Sequence, residues 1–107
     1  MSTLSTRDML DEAKASGSQL RIAEAELECC IRAEQALRGR IKLAREILAS
    51  PALKERHKAA KADLEEAERD LEGTEARRAV AHARYAPLQA EEVCRILSRQ
   101  QPILRPA

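Results

Sequence analysis

Leu48-Ala49-Ser50-Pro51-Ala52-Leu53 separates two long stretches of helical apolar spacing. Serine is a favoured N-cap. Proline is accommodated at the first helical position, where its missing N–H has no partner to lose. These six residues predict a reversal: one helix ends near Ala49, and a second begins at Pro51 and runs back antiparallel to it.

Upstream of the turn a helix is predicted over 18–49. Its seam reads Leu20, Ala23, Leu27, Cys30, Glu34, Leu37, Ile41, Ala44, Leu48, in alternating steps of three and four. Downstream, a helix over 51–86 has the seam Leu53, His57, Ala60, Leu64, Ala67, Leu71, Thr74, Arg78, Ala81, Tyr85. A tight turn at Ser50-Pro51 predicts that facing residues have numbers adding to about 101. Large residues then mostly meet small ones, in arms roughly 45–50 Å long.

Beyond the arms, Ser5-x-x-Asp8 resembles a capping box, and Met9, Leu10 and Ala13 form one apolar face of a short helix within 1–17. Ser16-Gly17-Ser18 breaks the chain before the first arm. Pro87 is predicted either to kink the second helix or to begin a new one, because a proline inside a helix clashes with the preceding turn. Leu88, Val93, Ile96 and Leu97 then mark a separate C-terminal helix over 87–100, followed by a proline-containing tail over 101–107. The expectation is a single all-α domain: a coiled-coil-like antiparallel hairpin whose two short terminal helices pack on each other at the open end.

Composition agrees with that class. Of 107 residues 35% are charged and 1% aromatic, with Tyr85 the only ring apart from the two histidines. The core must therefore come from Leu, Ile and many Ala, which suits helices packed closely side by side. Such a thin core is marginal for a small chain, and oligomerisation is a common remedy. Ile22, Ile31, Leu43 and Ile47, with Val80, Val93 and Ile96, fall off the seam. They form a candidate dimer interface that would complete a helical bundle.

The net charge is only +1, but the charges are segregated. Around the turn, Arg38, Arg40, Lys42, Arg45, Lys54, Arg56, Lys58 and Lys61 face only Glu46 and Glu55. Over 62–76, Asp63, Glu65, Glu66, Glu68, Asp70, Glu72 and Glu75 stand against Arg69 alone. Glu24, Glu26, Glu28 and Glu34 add acid on the first arm, and Arg77, Arg78 and Arg84 make the next stretch basic. The basic tip is the candidate partner-binding site, for another protein or, weakly and without sequence preference, for nucleic-acid phosphates. No aromatic residue at the tip offers a base-stacking platform.

No catalytic set is legible: no nucleophile with His and Asp, no glycine-rich phosphate loop, no acid pair assignable to a cleft. Cys29 and Cys30 point about 100° apart on a helix and make a poor chelating pair, so no metal site or cofactor is expected. His57 and His82 are too far apart on one helix to share an ion. Glu34 and Arg78 occupy seam positions, where polar residues set register at a cost in stability. No apolar run is long enough to cross a bilayer and the first residues show no signal-peptide apolar region, so the expected compartment is the cytoplasm. Arg outnumbers Lys 14 to 5, a bias pointing to a bacterial or phage accessory protein. The sequence predicts a non-enzymatic, homodimeric protein-interaction module, an adaptor, chaperone-like subunit or inhibitor, with nucleic-acid association at the tip as the alternative.

Overall fold

The computed structural model describes residues 5–100, and Gln100 by its backbone alone. The expectation for the 101–107 tail lies outside the described residues. Every regular element is helical: α1 (Thr6–Ser16), α2 (Gln19–Ala49), a 3-10 segment (Pro51–Arg56) and α3 (His57–Gln100).

The helix ends follow local chemistry. The Ser5 hydroxyl accepts the Asp8 N–H at 3.2 Å and caps α1. Gly17 stops α1 at φ 70°, a left-handed conformation that glycine adopts without a Cβ penalty, and its N–H donates to the Lys14 carbonyl. Ser18 then accepts the Arg21 N–H at 3.3 Å and caps α2. α1 folds back along the first part of α2. The Cys29 thiol meets the Thr6 carbonyl at 3.7 Å, and Ala13 and Ala25 are buried.

The reversal differs from the sequence expectation. Ser50 makes no side-chain cap; its carbonyl organises the turn instead, accepting the Leu53 N–H at 3.1 Å and His57 Nε2 at 2.9 Å. Pro51 opens a 3-10 turn rather than α3, and Leu53 at φ −105°, ψ 26° interrupts it. His57, half-buried, therefore closes the turn.

Those six extra residues change how the arms meet. α2 and α3 lie side by side, with ion pairs Glu26–Arg84, Glu34–Arg78, Arg38–Glu75, Arg45–Glu68 and Arg40–Asp63 between them. Paired numbers rise on α2 as they fall on α3 and add to about 112 in all but Arg40–Asp63. The expected sum of about 101 is thus corrected by about eleven residues. Eleven residues are close to three helical turns, so the slip keeps the same faces together. Apolar periodicity satisfies both alignments.

Two further expectations fail. α3 runs through Pro87 without a break, so 51–86 and 87–100 are not separate helices. Pro87 is exposed, and so is Ala83, the residue whose carbonyl loses its donor. The terminal helices do not pack on each other: α1 contacts α2, and among the described residues it makes no close approach to α3.

The core is made of alanine. Ala23, Ala44, Ala60, Ala67 and Ala81 line α2 and α3, with Ile41 and Thr74. Ala67 is wholly buried and Ala44 nearly so, while no large side chain is fully enclosed. Small residues let the helix axes approach to the short end of the 8–10 Å range. The result is a rod of 78 × 30 × 26 Å. Its radius of gyration is 20.9 Å, against about 13 Å for a compact domain of this length.

Candidate interaction surfaces

The buried Glu34 anchors the α2–α3 contact. It is 7% exposed, and both carboxylate oxygens accept from Arg78 Nη1, at 3.1 and 3.0 Å. Arg38, one turn on, donates to Oε1 through Nε at 3.2 Å and Nη2 at 2.9 Å, and Nη2 also reaches Glu75 at 3.4 Å. The guanidiniums of Arg38 and Arg78 hold the Glu34 carboxyl below the usual carboxylate range. A sum of about 101 would set Arg78 opposite Ala23 and Glu34 opposite Ala67; in the structure the two pair with each other. Nearby, Thr74 is buried and returns its hydroxyl to the Asp70 carbonyl at 2.8 Å while accepting from Arg77 at 3.0 Å.

The same alignment explains the charge blocks. A sum of about 101 sets the basic 38–45 stretch against 56–63, largely like on like, and acid against acid at the waist. A sum of about 112 sets 38–45 against the acids of 67–75, and Glu26 and Glu34 against Arg84 and Arg78. Of the eight tip cations, Arg38, Arg40 and Arg45 are therefore engaged across the helices. Lys42, Lys54, Arg56, Lys58 and Lys61 make no ion pair among the described residues. The basic tip narrows to these five. A groove of about 590 Å³ is lined by Arg38, Lys42, Arg45, Glu68, Leu71 and Glu75; Arg38 and Arg45 are paired there, and Lys42 makes no ion pair among the described residues.

The off-seam apolar residues separate into two groups. Ile22, Ile31 and Ile47 are half-buried. Leu43, Val80, Val93 and Ile96 are exposed by 42 to 59%, as is Leu97, which the sequence reading left out of the interface. They do not form one stripe. Leu43 stands on α2 away from α3. Val80 points elsewhere on α3 from Val93, Ile96 and Leu97, which share a face at helical spacing.

Cys29 and Cys30 are half-buried and Cys94 is exposed. Burial pushes the Cys29 thiol up, with Cys30 adding to the effect. Among the described residues no three His, Cys, Asp or Glu side chains gather as a metal-binding group, and no helix is long and apolar enough to cross a membrane. Comparison with protein-family models, with curated proteins and with solved structures finds no match.

Proposed function

We propose that this chain is a non-enzymatic protein-interaction module: a coiled-coil-like helical hairpin that serves as an adaptor, chaperone-like subunit or inhibitor. One observation carries the reading. The large aliphatic side chains Leu43, Val80, Val93, Ile96 and Leu97 stand in solvent while the interior is built from alanine. Single exposed aliphatics are common, but Val93, Ile96 and Leu97 share one face, and covering such a cluster is favourable. The accessible surface, 8515 Å², also exceeds the about 5,900 Å² expected for a compact chain of this mass. A photo-crosslinking residue at Leu43, Val80 or Val93, introduced in the native cell, yields a discrete protein adduct that disappears when the adjacent apolar residue is made charged. Absence of any adduct at all three positions overturns the proposal.

The five tip cations without an ion pair among the described residues favour a second reading, contact with nucleic-acid phosphates. Such binding is salt-sensitive and sequence-blind. Its test is electrophoretic shift with Lys54, Arg56 and Lys58 reversed to Glu. Arg38 and Arg40 are unsuitable for it because they hold α2 to α3. Retention of binding after the three reversals removes this reading.

A further inference from the structure

At a sum of about 112, Gln19, the first residue of α2, lies opposite Val93 of α3. The last turns of α3, from Cys94 onward, therefore run past the end of α2, and α1 does not approach them. A lone helix end of this length is marginal in water without a packing partner. It carries Val93, Ile96 and Leu97 on one face, continued upstream by Ala86 and Ala90 at the same spacing.

We infer that this face is closed by the same face of a second copy, the two α3 ends crossing antiparallel about a two-fold axis. The charges beside the seam select that occupant. Glu92 and Arg99 flank it one heptad apart on the same side. In an antiparallel pair with Val93 opposite Ile96 and Leu97 of the other copy, Glu92 meets Arg99 of the other copy, and the reverse contact follows by symmetry. A parallel, in-register pair sets Glu92 beside Leu97 and gives neither charge a partner across the interface. Arg99 has no ion pair among the described residues, whereas Glu92 already holds Arg95 at 2.9 Å and presents its other oxygen. Between described residues the seam runs from Ala90 to Gln100, about 15 Å, which places the contact among small, exchanging interfaces. This inference rests on the protein-interaction reading and names the partner at one end of the rod. The five tip cations lie outside this contact and are available to a different partner.

The test is light scattering during size exclusion on the full chain, reduced, at about 50 mM salt and at loads spanning roughly 5 to 500 µM. The mass is expected to rise from 11.9 kDa toward twice that value with load. Ile96→Glu abolishes the rise. Glu92→Arg and Arg99→Glu each raise the dimer Kd roughly tenfold, and the double exchange restores it. Circular dichroism checks that every variant keeps its helix. A monomer at all loads overturns the inference, as does a dimer indifferent to Ile96→Glu or one that the double exchange does not rescue. A monomer that still gives foreign adducts in the crosslinking experiment leaves the interaction reading standing and assigns the face to another protein.

Discussion

Glu34 is a carboxylate inside an alanine seam, and its partners decide what it contributes. Two guanidiniums satisfy both oxygens, so the group is retained ionised rather than neutralised. Its carboxyl is lowered relative to the unfolded chain. The stability it supplies is therefore complete above the unfolded value of about 4.3 and is lost as pH falls through the lower folded value. Glu34→Gln is expected to melt below the parent at pH 7, with the gap closing as the buffer is taken below about pH 4. A gap independent of pH would show that shape, not charge, holds the position. Both residues stand at seam positions in the sequence and are legible as register devices. Their mutual pairing was not legible, because it depends on the length of the turn.

At the scale of elements, α3 continues where its own sequence argues for a stop. Proline in a helix interior costs about 3 kcal/mol, and here both Pro87 and Ala83, whose carbonyl it deprives of a donor, are exposed residues. Pro87→Ala should raise stability by about 2 kcal/mol, the helical gain less the entropy returned to the unfolded chain. Urea unfolding measures it; no change would mean that the helix is already broken there. Between elements, the seam tolerates no growth. Ala67 is wholly buried, so Ala67→Leu forces α2 and α3 apart and should cost about 1–3 kcal/mol. An unchanged midpoint would show that the helices are not held at alanine distance. The breaks at Gly17 and Ser18 were readable in advance because the residues that make them act locally, through φ and a single capping bond.

The whole molecule is held in register by charge. Exposed ion pairs are individually worth about 0–1 kcal/mol, yet the alternative alignment does not merely lose them; it sets like charges together. Tip cations should therefore fall into two classes in thermal melts. Reversing Arg38 or Arg45 to Glu lowers the midpoint, while reversing Lys54 or Lys58 leaves it within about 0.5 kcal/mol of the parent. A uniform response across the four would contradict the ladder. The division also separates the cations that build the rod from those available to a partner.

The sequence by itself determined that the described chain is helical, where α1 and α2 begin and end, and which face of each arm is apolar. These follow from short-range propensity, capping and a period of 3.6, all written within a few residues. Only the tertiary structure decided the alignment, the unbroken α3 and which apolar residues stay wet. An eleven-residue slip preserves every helical face, so apolar spacing is blind to it. It took the 3-10 turn after Ser50 and the opposition of charges some forty residues apart to select one register.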